Sequence, residues 1–149
     1  MRRKLFFIMF CLMFLLGCSG KPETYPYANP AEEITGVTLI HNQNEYGEGI
    51  DESKFECIRE LNADEIEFFM DSVCRLPTHR RSGGPLWGYG EYMAKVTYTN
   101  GDIEILGTLN IEYIPNGSAP TGFGSYYFEG DGLRMLILEY VQNIDTENA

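Results

Sequence analysis

Trp87, Tyr89 and Tyr92 lie within six residues of one another, separated by Gly88 and Gly90 and preceded by Arg80 and Arg81. Aromatic faces beside guanidinium donors suit a sugar ring or a peptide, and Trp, Tyr and Arg dominate interface hot spots. The same stretch also reads as a plug for the open end of the core, with Trp87 as the chain's one tryptophan. Both readings stand at this stage. Glu45, Glu48, Asp51 and Glu52 put four carboxylates into eight residues. A calcium loop needs the D-x-D-x-D-G rhythm, which is absent, so the segment reads as a solvated turn. His41 and His79 are the only histidines. His41 continues the face of Val37 and Leu39 and reads as a sheet-end residue. No Ser or Cys stands in a nucleophile motif such as G-x-S-x-G, and no CxxC or Cys/His spacing supports a metal site. The expectation is a protein without metal or cofactor and not an enzyme. Hydrolysis is the weakest of the functional readings.

The elements that must position these residues are legible in part. Asn62 reads as an N-cap with Glu65 at the reciprocal position, and Leu61 and Ile66 form a staple pair. Ile66, Phe69, Met70 and Val73 then share one helical face, and Pro77 stops the helix near Arg75. Phe68 falls on the otherwise polar face, either under a loop or against a partner. Alternation predicts strands over 35–41, 55–59, 92–99, 102–106, 109–113 and 124–128. Residues 78–91 read as a loop. A second helix follows Asp131, with Leu133, Leu136, Ile137, Tyr140, Val141 and Ile144 on its apolar face. Asn100-Gly101 predicts a two-residue type I′ hairpin that pairs Thr97 with Glu104 and Val96 with Ile105. The order β-β-α-β-β-β-β-α implies an α+β domain. Its antiparallel sheet has about five to six strands, with two helices packed on one face.

Cys57 and Cys74 remain to be placed. Cys57 is about 13 Å up its strand from Leu61, at a rise of about 3.3 Å per residue. Cys74 is about 18 Å up the helix from Asn62, at about 1.5 Å per residue. The axial levels suit a bridge, while sheet-to-helix spacing works against one. The pair is either a disulfide or two buried thiols.

The chain begins with Arg2-Arg3-Lys4, an apolar run of 12 residues from Leu5 to Leu16, then Gly17 and Cys18. That run is too short to span a bilayer, which takes roughly 20 residues, and has the form of a secretory signal. Leu15-Leu16-Gly17-Cys18 resembles the lipobox of bacterial lipoproteins. The resemblance covers about the first 20 residues. It implies cleavage before Cys18, a diacylglyceryl group on the Cys18 thiol, and anchoring by acyl chains at the extracytoplasmic face of the cell membrane. The remainder loosely resembles small lipoproteins of Gram-positive bacteria, in having a tether, a helix and an Asn-Gly hairpin.

On that reading residues 1–17 are a signal peptide, and 18–33 are the lipidated cysteine and a Pro-rich tether. Residues 34–149 are then one domain. Pro22, Pro26 and Pro30 keep the tether extended, with a reach on the order of 45 Å. The chain of 149 residues keeps 132 when the first 17 are removed. Its net charge moves from −11 to −14, because Arg2, Arg3 and Lys4 leave with the signal. So acidic a domain is repelled by nucleic acid and by anionic lipid, which excludes nucleic acid as a partner. The functional expectation is a membrane-anchored binding or interaction module for an envelope protein or glycan. The alternative is a structural envelope protein without a specific ligand. The contact surface would be Arg80, Arg81, Trp87, Tyr89 and Tyr92.

Overall fold

Helix formation after residue 62 is settled locally. In the computed structural model, Asn62 Oδ1 accepts from the Glu65 backbone N–H at 3.1 Å, and Glu65 Oε2 accepts from the Asn62 N–H at 2.9 Å. This capping box opens helix α1, Ala63–Arg75, and Leu76 ends it in extended backbone. Phe69, Met70 and Val73 face the core. The structure describes residues 23–24, 33–45, 50–80, 88–122 and 124–147, with side chains of that set between 33 and 142. The signal segment, Cys18 and most of the tether lie outside the described residues.

The strands are β1 (Glu23–Thr24), β2 (Ile34–Asn42), β3 (Phe55–Glu60), β4 (Pro77–Arg80), β5 (Tyr92–Tyr98), β6 (Ile103–Gly107), β7 (Ile111–Ile114) and β8 (Tyr126–Phe128). They form one sheet in the order β1-β4-β8-β7-β6-β5-β2-β3, and each pairing is antiparallel. The second helix, α2, spans Gly132–Glu147. The fold is therefore α+β, with more strands than the alternation alone showed. The two extra strands are β1 and β4. Pro77–Arg80 is too short to show a period, yet Thr78, His79 and Arg80 pair with Phe128, Tyr127 and Tyr126. Glu23 and Thr24, expected in the tether, pair with Thr78 and Pro77. The sheet thus extends into the segment before residue 34.

The β5–β6 hairpin is one residue out of the expected register. Thr97 faces Ile103, Val96 faces Glu104 and Lys95 faces Ile105. The loop closes at Tyr98, whose N–H donates to the Asp102 carbonyl at 3.0 Å, while the Gly101 N–H donates to the Tyr98 carbonyl at 2.9 Å. Gly101 stands at φ 85°. This is a three-residue loop, a turn followed by a left-handed glycine, rather than a two-residue type I′ turn. A slip of one residue moves side chains of one strand to the other face of its partner. Glu104 consequently shares the helix-covered face with Val96 and Tyr98. It is fully buried there and accepts from Tyr98 Oη at 2.7 Å.

Both faces of the sheet are buried. Under the helices, Val37, Leu39, Val96 and Leu106 pack with Phe69, Val73, Leu133 and Ile137. On the opposite face Ile40, Met93, Ile105 and Ile114 pack around Tyr89, with Ile50 and Phe55 at the margin. That second core is roofed by loops.

A bulge in β3 decides the cysteines. Leu39 pairs with Arg59 and Ile40 pairs with Cys57, so Ile58 is the extra residue. Cross-strand partners share a face. Cys57 therefore lies with Ile40 on the face away from the helices, exposed, while Cys74 is on α1. No disulfide joins them, and the sheet between them is the reason.

Candidate functional site

Of the residues expected to form one aromatic surface, the described ones, Arg80, Tyr89 and Tyr92, are not brought together. Arg80 is exposed at the end of β4, and Tyr92 begins β5. Four strand steps separate them, or about 19 Å at roughly 4.8 Å per step. Tyr92 is half-buried against the helix-side core. His41 stacks on its ring at 5.4 Å and the Arg134 guanidinium lies 5.9 Å from the ring centroid. Tyr89 packs on the opposite face and is 0% exposed, so it is a core residue and presents no surface to a partner. Arg81 and Trp87 lie outside the described residues.

What Tyr89 does instead went unseen in the sequence. Its hydroxyl donates to Glu112 Oε2. The same buried carboxylate accepts from the Thr121 N–H at 3.0 Å, the Gly122 N–H at 2.9 Å and the Thr121 hydroxyl. Glu112 reaches this face because it pairs with Ile105 across β6–β7. All the donors are uncharged, and together they solvate the carboxylate as water would. Burial, then the hydrogen bond and the charge of Glu112, hold the Tyr89 hydroxyl protonated far above the ordinary tyrosine range. Asn110, also buried, donates to the Gly122 carbonyl and accepts from the Gly124 N–H at 2.7 Å. These side chains pin the loops on the second core. Alternation on a strand gave no hint that a glutamate would serve as an internal acceptor.

Beside this clamp, the 42–45 and 88–91 segments and Leu109 enclose a cleft of about 370 Å³. Its floor is built by amides turned inward. Asn42 Nδ2 donates to the Gly90 carbonyl at 2.8 Å, and Asn42 Oδ1 accepts both the backbone N–H and Nδ2 of Asn44. Asn44 Nδ2 also donates to the Asp51 carbonyl at 3.0 Å, and its Oδ1 accepts from the Asp51 N–H at 2.9 Å. Gln43 Nε2 donates to Glu56 at 2.9 Å. Gly90 lets the walls approach this closely: at φ 89° it has no Cβ to meet Thr108 Oγ1, which would lie 2.0 Å away. Among the residues that line it, Glu45, Glu91 and Leu109 are exposed. Glu91 lies 3.8 Å from His41 Nε2, whose other ring nitrogen is 3.4 Å from Glu56. Both donors of the Asn44 amide are engaged within the wall, and the cleft lining includes two carboxylates and one apolar side chain. That chemistry suits a cationic or hydrogen-bond-donating ligand and opposes an anion.

The remaining candidates resolve as local structure. Asp51 Oδ1 accepts from the Ser53 N–H at 3.0 Å and hydroxyl at 2.6 Å, and these bonds hold its carboxyl below the usual range. Asp51 thus caps a 3-10 turn at Glu52–Lys54. Glu48 lies outside the described residues. His79 is 3.2 Å from Glu129 and tilts on Tyr127. Among the described residues no group of three or more His, Cys, Asp or Glu is placed to hold a metal. No described helix is long and apolar enough to cross a membrane. No family model, curated protein or solved structure matches this chain.

Proposed function

We propose that the chain is a bacterial lipoprotein whose α+β domain is a binding module at the extracytoplasmic face of the cell membrane. Leu15-Leu16-Gly17-Cys18 supports the anchor. Two acyl chains at about 0.8 kcal/mol per buried CH₂ hold a protein stably where one would be marginal. The observation that carries the binding reading is the cleft, lined by the exposed carboxylates of Glu45 and Glu91, with the Asn44 amide engaged in its wall. A ligand that brings ammonium or hydroxyl donors meets acceptors there without displacing any wall bond.

Thermal melts of the purified protein test this reading. Spermidine and a lysine-rich tripeptide are the cationic probes, a chito-oligosaccharide the neutral one and citrate the anionic one. A ligand that binds only the folded state raises the melting temperature in proportion to the logarithm of its concentration. The expected result is a rise with the cationic probes and none with citrate. Glu91→Gln should weaken binding by up to about fivefold, the worth of one exposed ion pair. A melting temperature indifferent to all the probes would favour a structural envelope protein.

A further inference from the structure

Helix α1 buries Phe69, Met70 and Val73, yet Phe68 is 66% exposed, the most of any large apolar side chain described. No loop covers it. Asp64, Glu67 and Asp71 line a shallow hollow of about 420 Å³ with it. Helical spacing explains the grouping, since 64, 67, 68 and 71 occupy adjacent turns of one face. Two features of this face work against the protein in isolation. An exposed phenyl ring is left in water. Glu67 and Asp71 form a like-charged i,i+4 pair, which destabilises a helix by a few tenths of a kcal/mol. Arg75 answers only Asp71, at 2.7 Å. Local choices that oppose folding and coincide on one surface mark a functional site more often than chance placement.

We infer that this face of α1 docks a basic segment of a partner protein, an apolar side chain flanked by Lys or Arg that covers Phe68 while its charges meet Asp64, Glu67 and Asp71. Charge complementarity selects that occupant. A second copy of the mature chain would bring another net −14, and an anionic bilayer surface would likewise be repelled. A neutral apolar segment would leave the carboxylates without counter-charges beside a desolvated ring. The surface is separate from the cleft, whose walls are loop segments on the far side of β2 and β5. Its occupancy therefore stands or falls independently of the ligand proposed there.

The probe is a synthetic amphipathic Lys/Leu helical peptide, with a Glu/Leu peptide of the same pattern as control. Both are titrated calorimetrically into the purified protein at low and moderate salt. Binding of the Lys/Leu peptide alone, weakening as salt rises, is expected. Phe68→Ser should weaken it by roughly thirtyfold, the loss typical of a buried interface aromatic. Glu67→Gln with Asp71→Asn should reduce both affinity and salt dependence. All these positions are exposed, so melting temperatures serve as a folding control. Amide shift changes on titration should centre on residues 64–71. Full-strength binding by Phe68→Ser, or shifts centred on Glu45 and Glu91, would overturn the proposal. So would self-association of the wild type that Phe68→Ser abolishes.

Discussion

Tyr89 shows how one side chain can look like a contact residue and be a structural one. Its ring fills the second core and its hydroxyl completes the set of donors around Glu112. The pH dependence follows from the direction of its shift. Below the ordinary tyrosine value of 10.0, folded and unfolded chains both hold the proton. Above it the unfolded chain releases the proton while the folded chain keeps it, so stability falls as pH rises. The contribution is about 1.4 kcal/mol for each pH unit in that range. Tyr89→Phe should remove this component. Urea unfolding at about pH 9 and about pH 11 is the measurement, and the wild type should lose more stability between the two than the variant. At the lower pH the variant should be less stable by about 1 kcal/mol, for the lost hydrogen bond. Equal losses in the two proteins would mean that Tyr89 ionises freely and the clamp does not form.

At the scale of elements, the hairpin loop sets the faces of the sheet. The left-handed Gly101 closes a three-residue loop, and that loop length decides whether Glu104 or its neighbours face the helices. A Cβ at Gly101 would also come within 2.5 Å of Asn116 Nδ2, whose amide donates to the Asn100 carbonyl at 3.1 Å. Gly101→Val should therefore destabilise the domain by about 1–3 kcal/mol, from backbone strain and this crowding. A melting curve is the check, and an unchanged midpoint would refute this loop geometry. Helix α1 behaves differently, because its boundaries depend on contacts three residues apart. Asn62, Glu65 and Pro77 mark it in the sequence and mark it again in the structure.

For the whole molecule, the anchor and the acidic domain act together. On the lipoprotein reading the mature chain carries a net −14 by the loss of three cations, so acyl chains rather than charge must hold it at the bilayer. Cys18→Ala should abolish incorporation of labelled palmitate and leave the precursor unprocessed. Labelling that persists in the variant, or is absent from the wild type, would remove the anchor from the proposal. Pairing of Glu23 and Thr24 with β4 shortens the segment available as a tether, since four residues, spanned by five chain steps, then separate Cys18 from the sheet edge. At about 3.4 Å per residue their reach is about 17 Å, well short of the span read from the prolines.

The sequence by itself determined what short-range chemistry decides. The α+β class, the capped helix and the positions of six strands all rest on residues a few places apart. The tertiary structure decided what depends on pairing across the chain. Period-two alternation names the two sides of a strand, but cannot say which side is covered when both are buried. The β5–β6 register, the burial of Glu104 and Glu112 and the inward turn of Tyr89 were therefore not legible. Nor can composition place Arg80 four strands from Tyr92, because twelve residues of sequence separation say nothing of strand order. That order separates Arg80 from Tyr92, two of the residues expected on one surface. The cleft and the Phe68 face depend on which carboxylates the completed fold leaves at its surface.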